Sequence, residues 1–300
     1  MRVYRGSDKL EKEFLKIFNG ITQSLTGWQV WEYMISCMAC SISNIVELDE
    51  KRRARREEEY ERSLKQLDGN VEAVARLFAV MVEAFERKPE EDFLGKMYMN
   101  LNMGNHWTGQ FFTPTSIAEM MAEITVPETA QDQIKTKSYI SVCDPSCGAG
   151  VNLLATAKSL RKMGINYQND CIFVGQDIDR VVAQMCYIQL SLIGAAGYIC
   201  VADTLMNPIT GKTDLIPYEK EGQEFWYTPM YWTDRWQLRI FLQHMGLRGG
   251  SSKARPLEKE HFYIYFNFEK ENEDGRECSI KTAGSNKSLR EAPRRSEQAV

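Results

Sequence analysis

Three hundred residues allow one large domain or two modest ones, and an apolar share of 43%, with 11% aromatic residues in the chain, is ample for a packed core. A net charge of −4 and a pI near 5.6 exclude a purely electrostatic nucleic-acid binder, so any DNA contact must come from a local patch or a partner. Eight unevenly spaced cysteines do not make a secreted disulfide framework. With no signal peptide and no apolar run of the ~18 residues a membrane span needs, the chain reads as cytoplasmic with no membrane contact.

Residues 1–103 read as helical. Leu10, Phe14, Leu15 and Phe18 recur at helical spacing and stop at Asn19-Gly20, a C-cap pair. A second helix is predicted from Trp28 to about Val46; Trp28, Val30, Trp31, Met34, Ile35 and Met38 make it apolar on most of its surface and therefore buried. Its Cys37 and Cys40 form a C-x-x-C with no second pair and no nearby histidines, which reads as buried thiols. From Lys51 to Gln66 the charge alternates in blocks, predicting a solvated helix laced with i,i+4 pairs; the alternative puts Arg52, Arg53, Arg55 and Arg56 on a phosphate backbone. An amphipathic helix follows from Val71 to Phe85, and another from Asp92 to Met103, ending at Gly104.

From His106 the character changes. Gly109-Gln110-Phe111-Phe112-Thr113-Pro114 is a polar-capped aromatic segment before a helix over 115–124 that Thr115 or Ser116 can cap. Taken alone, its Phe-Phe pair reads as core packing. Tyr139 to Cys143 has the β-branched content of a buried strand and breaks at Asp144-Pro145. Gly148 and Gly150 bracket a turn of small residues, after which 151–157 shows helical spacing. Strand, glycine turn and helix bring backbone N–H groups and a helix N-terminus against a nucleotide-like ligand, and glycine leaves room for its approach. An acid at the strand end suits a cationic or hydroxyl-bearing ligand. The absence of G-x-G-x-x-G and of G-K-[ST] points away from NAD and ATP.

Two more strands, 171–177 and 198–203, flank a helix over 178–192 and end in Asp177 and Asp203. Strands joined in this way form a parallel α/β sheet whose right-handed crossovers place Asp144, Asp177 and Asp203 at one carboxyl edge. One such Asp is an ordinary helix cap; three in register point to a shared ligand. Beyond Asp203, 206–222 reads as loop, 225–232 is densely aromatic and 236–244 is helical. From Gly249 the chain is polar, except that His261 to Phe268 alternates like an edge strand, and the last 30 residues have a disordered composition.

These motifs resemble those of the DNA adenine-N6 methyltransferases, above all the methylation subunit of type I restriction-modification systems and its phage and mobile-element relatives. GQFFTP at 109–114 resembles the family segment lining the methionine end of S-adenosylmethionine, which implies contacts from Gln110, Phe111, Phe112, Thr113 and Pro114. DPSCGAG at 144–150 resembles the D-P-x-C-G-x-G cofactor loop, implying roles for Asp144, Pro145, Cys147, Gly148 and Gly150, with Asp144 near the methionine ammonium. Asp177, with Ile178 beside it in GQDID, matches the acid expected at the ribose hydroxyls. Asp203, with Thr204 in ADTL, matches the acid expected at the adenine amine. Carboxylates accept hydrogen bonds from all three donors. Residues 92–105 also look like the family's N-terminal region, and the resemblance spans roughly residues 85–232.

The resemblance implies an α/β architecture. An all-α N-terminal domain (1–105) precedes a Rossmann-like, S-adenosylmethionine-dependent methyltransferase domain (106–245), truncated relative to the family, and a polar, partly disordered extension (246–300) follows. The implied activity is methyl transfer to the N6 amine of an adenine flipped from DNA, with DNA and a specificity or restriction subunit as partners. No metal is expected, because in-line displacement from a sulfonium needs positioning and a dry pocket. The family's N/D/S-P-P-Y/F/W tetrapeptide is missing. Asn207-Pro208-Ile209-Thr210 follows Asp203 too soon for another crossover. Thr228-Pro229-Met230-Tyr231 keeps one proline and the terminal aromatic, so Thr228, Pro229 and Tyr231 are the candidate base-site residues. The chain stops some 70 residues later, short of the family's remaining strands and target-recognition region. The alternative is a cofactor-binding but catalytically inactive subunit of a restriction or anti-restriction assembly. A glutamine-methylating relative is disfavoured, because GQFFTP belongs to the DNA branch.

Overall fold

A computed structural model of the chain describes residues 8–21, 24–101 and 112–245. Gln110, Phe111, the strand expected at 261–268 and the expected disordered tail lie outside them. By packing, the chain divides into two units, Met1–Ala254 and Arg255–Val300, and the described residues all belong to the first.

Among the described residues five helices come first: α1 (Lys9–Phe18), α2 (Gly27–Val46), α3 (Glu50–Gln66), α4 (Val71–Arg87) and α5 (Phe93–Asn100). Thr26 caps α2 by accepting from the Gln29 N–H. Asp92, expected inside the last of these helices, instead caps it by accepting from the Gly95 N–H. Phe14, Phe18, Trp31, Phe93 and Tyr98 form one aromatic cluster with centroids 5.5–6.4 Å apart, and α2 runs through it as a buried element. Cys37 and Cys40 are buried there, and burial pushes the Cys37 thiol up to about 12.

Neither expectation for α3 describes Arg52 and Arg56. Arg56 is buried, donating to Ser43 Oγ, to Glu47 Oε2 (2.8 Å) and to the Phe225 carbonyl (2.6 Å), with its guanidinium 4.2 Å from the Trp226 ring. Arg52 pairs with Glu47 and Glu219. A buried guanidinium is tolerated when its donors are met, and here the partners lie outside α3, so helical spacing does not reveal them. Arg53 and Arg55 are exposed.

The rest of the unit comprises α6 (Thr115–Thr125), α7 (Ala130–Lys137), β1 (Ile140–Asp144), α8 (Val151–Lys162), α9 (Tyr167–Asp170), β2 (Cys171–Asp177), α10 (Arg180–Leu192), β3 (Ala196–Val201), β4 (Thr210–Thr213), β5 (Ile216–Tyr218), β6 (Glu224–Tyr227) and α11 (Asp234–His244). Pro114, not Thr115 or Ser116, occupies the cap position of α6, with no side-chain cap hydrogen bond among the described residues; Thr115 is already helical. The stretch 206–222, expected as loop, contains the β4–β5 hairpin, whose strands are too short and too exposed to show an alternating pattern.

The main sheet has the order β1-β2-β3-β6. β1, β2 and β3 are parallel, with Asp144 level with Gly175 and Asp177 level with Val201. β6 runs antiparallel to β3, pairing Glu224 with Val201 and Tyr227 with Tyr198. On one face Tyr198, Phe225 and Tyr227 pack with Tyr231 and Trp236. On the other, α10 meets Trp226 through Tyr187, ring to ring at 5.4 Å.

Candidate functional site

The turn after β1 is built by its own hydrogen bonds. Asp144, 8% exposed, accepts from the Ser146 N–H (3.1 Å) with Oδ1 and from Asn152 Nδ2 (3.0 Å) with Oδ2. The Cys147 N–H donates to the Gln176 carbonyl, and the Gly150 N–H to the Cys147 carbonyl. Gly148 and Gly150 take φ of +51° and +96°, the left-handed region that glycine enters without strain. A Cβ at Gly150 would also lie 2.7 Å from Cys186 Sγ. The Cys147 thiol is held well above its ordinary range, first by its hydrogen bond with the Cys186 thiol and then by burial, so it is packing rather than a nucleophile.

Asp177 meets this turn directly. Its Oδ2 accepts from the Gly148 N–H (2.8 Å) and its Oδ1 from the Asp179 N–H (2.9 Å). Burial raises the Asp177 carboxyl above its ordinary value, against the pull of those two backbone bonds. Ile178, next in the chain, is 68% exposed.

Asp203 lies two residues past the end of β3 rather than on the strand. Its Oδ1 accepts from the Leu205 and Met206 N–H groups (2.8 and 3.1 Å), and Thr204 Oγ1 donates to the Pro145 carbonyl, joining this loop to the first turn. Asp144, Asp177 and Asp203 thus share one sheet edge, and their loops are hydrogen-bonded to one another. Phe112, the described aromatic of the GQFFTP segment, approaches the same turn: its ring would lie 3.4 Å from a Cβ at Gly148, and it packs on Tyr98 at 5.3 Å. Thr113 is half-buried and Pro114 exposed at the start of α6.

Sequence reasoning missed two side chains that hold this edge. Asn152 orients Asp144, and its Oδ1 is buried without a hydrogen-bond partner among the described residues. Gln176, 2% exposed, donates to the Ala202 and Asn207 carbonyls (3.2 and 2.9 Å) and accepts from the Ile209 N–H (3.0 Å), holding the loop that carries Asp203. A polar residue at the end of an otherwise apolar strand was the available signal.

The expected base-site residues Thr228, Pro229 and Tyr231 follow β6, and Thr228 sits beside Gly197 at the start of β3. Because β6 is antiparallel, its end delivers Thr228 to the amino-terminal edge of β3. Thr228 is fully buried; its N–H donates to the Gly197 carbonyl, and its Oγ1 accepts from the Gly197 N–H (3.0 Å) and donates to the Ala195 carbonyl (2.7 Å). Gly197 and Val201 are four positions apart on β3, roughly 13 Å of strand rise, so Thr228 lies toward the opposite end of the strand from Asp203. Tyr231 is 5% exposed and donates its hydroxyl to the Leu215 carbonyl (2.6 Å), while Pro229 opens the short 3-10 turn Pro229–Trp232.

Comparison with known proteins gives a match of residues 90–278 to the family model "N-6 DNA Methylase". Among solved structures, a protein from Listeria monocytogenes described as a class I S-adenosylmethionine-dependent methyltransferase is similar at 16% identity and TM-score 0.38, over 79% of this chain and 80% of that one. The methyltransferase subunit of a type I restriction-modification system from Streptococcus thermophilus is similar at 15% identity and TM-score 0.32, over 66% of this chain and 58% of that one. No curated protein matches the chain.

Proposed function

The chain belongs to the N-6 DNA methylase family, with S-adenosylmethionine as its methyl donor, and from that premise we propose that it takes part in methylation of the adenine N6 amine in cytoplasmic DNA. The observation that carries the reading is the carboxyl edge of the sheet. Asp144 and the Asn152 Oδ1, which has no hydrogen-bond partner among the described residues, offer acceptors for an ammonium; Asp177 offers a carboxylate to ribose hydroxyls; Asp203 offers its second oxygen to an adenine amine. Exposed Ile178 supplies an apolar face for a base, and the left-handed Gly148 keeps the turn open beside Phe112. When bound, the cofactor supplies a methyl group on a sulfonium. The chain's own residues bind and orient it; residues 106–245 are the part we assign to this work.

A second reading is a cofactor-binding subunit whose target-base groups come from another chain, such as a specificity or restriction subunit. Two observations favour it. Thr228 and Tyr231 have their polar groups used internally. In addition, Ile117, Met120, Met121 and Ile124 follow i, i+3, i+4, i+7 spacing on α6 and stay 43–75% exposed, while Ala118 and Ala122 of the same helix are buried in a cluster with Val151 and Ala155 of α8. An apolar helix stripe left open in this way suits an apolar surface of another protein.

Tritiated methyl transfer to unmethylated DNA separates the readings. Incorporation at adenine N6 by the chain alone supports the first. Incorporation only after a partner subunit is added supports the second. No incorporation under either condition, with cofactor binding shown by calorimetry, removes the enzymatic reading.

A further inference from the structure

Gln189 lies on α10, is fully buried, and belongs to none of the cofactor motifs quoted above. Its amide is completely used. Nε2 donates to the Ala149 carbonyl (2.8 Å) and to Asp92 Oδ1 (2.9 Å), and Oε1 accepts from the Leu94 N–H (3.0 Å). Ala149 is the residue between Gly148 and Gly150, at the centre of the cofactor turn. Asp92 is the cap of α5, where it also accepts from the Gly95 N–H (2.9 Å). Asp92 is 4% exposed, and burial raises its carboxyl above the ordinary range.

We propose that Gln189 is a positioning residue for the cofactor turn, transmitting the position of the α5 cap to the Ala149 carbonyl; the inference rests on the cofactor reading above. A turn with positive-φ glycines on both sides of one residue has weak conformational preference of its own, because glycine enters many backbone states. Something outside the turn must therefore select one of them. Within it, Gly148 is tied to Asp177 and Gly150 to Cys147, which leaves the Ala149 carbonyl to Gln189. The far end of the amide is anchored on α5, part of the helical region, so that region shapes the cofactor edge without reaching the ligand. Sequence separations of 40 to 97 residues hide all three bonds from local pattern reading.

The experiment measures S-adenosylhomocysteine affinity of the full chain by calorimetry, with hydrogen exchange of the peptide covering 147–150 as the second readout. Gln189→Met keeps the volume and removes all three bonds. It is expected to weaken binding roughly 5- to 150-fold, the equivalent of a lost buried hydrogen bond, and to speed exchange in the turn. Gln189→Glu keeps the acceptor for Leu94 and loses the donors, so it carries the same expectation if the methionine variant fails to fold. Asp92→Asn preserves the acceptor for both Gln189 and Gly95 and should bind like wild type. Variants that lower the unfolding midpoint while leaving affinity and turn exchange at wild-type values overturn the inference. A wild type that binds no cofactor analogue overturns the reading beneath it instead.

Discussion

The two edges of the β1–β3 sheet both carry polar side chains but differ in how far their hydrogen bonds are completed within the fold. At the carboxyl edge, Asp144, Asp177 and Asp203 each spend some of their lone pairs on nearby N–H groups and retain others, beside a buried Asn152 oxygen with no partner among the described residues. At the amino edge, the Thr228 hydroxyl both donates and accepts within the backbone of β3, and Tyr231 is enclosed by Tyr198, Tyr227 and Trp232. The difference lies in spare capacity. A polar group whose hydrogen bonds are completed inside the fold is structural, and one left with unused acceptors beside exposed apolar side chains is placed for a ligand.

The contrast between the edges breaks most visibly at Tyr231. Tyr231→Ala should destabilise the fold by about 3–5 kcal/mol, as large buried truncations do. Denaturant unfolding measures this, and cofactor affinity of the molecules that remain folded should not change. A variant with wild-type stability that loses only methyl transfer would return Tyr231 to a functional site. Thr228→Val belongs to the same edge. Removing the hydroxyl leaves the Gly197 N–H without that acceptor, at a cost of about 1–3 kcal/mol in stability and none in cofactor binding.

Asp177→Ala probes the opposite edge. It should weaken cofactor binding by roughly 1–3 kcal/mol, through the charge-assisted bond lost to the ligand together with the lost tether of the Gly148 N–H, while the fold persists. Calorimetry showing undiminished affinity in a folded variant would take Asp177 out of the site.

The smallest expected effect is on pH dependence, and its sign follows from burial. The Asp177 carboxyl titrates above its ordinary value of 3.8, and the ligand-accepting form is the charged one. Affinity should therefore be full well above the raised pKa and fall as pH drops through it, starting above pH 3.8. Stability should move the other way, since the fold favours the protonated group and gains from it as pH falls between the raised and ordinary values. Asp177→Asn should flatten both trends, measured by affinity and unfolding midpoint across the acid range.

Much of the carboxyl edge was legible in the chain because its determinants are local. Strand, glycine turn and helix follow one another within 140–162, and right-handed connections between successive strands leave one placement for acids at their ends. The same rules did not reach the amino edge. Glu224–Tyr227 is a four-residue strand, buried over Phe225–Tyr227, so its pattern carries no direction; that it runs against β3 is decided by packing, and with it the destination of Thr228. Arg56 looked like surface until its partners, Ser43, Glu47 and the Phe225 carbonyl, were assembled around it. Gln189 looked like one polar residue on a helix. Its three partners come from two regions distant in sequence, and only the folded chain brings a cap and a turn each within 3.0 Å of one amide. What a residue is made of can be read along the chain, but whether its hydrogen bonds are already spent depends on neighbours that tertiary structure supplies.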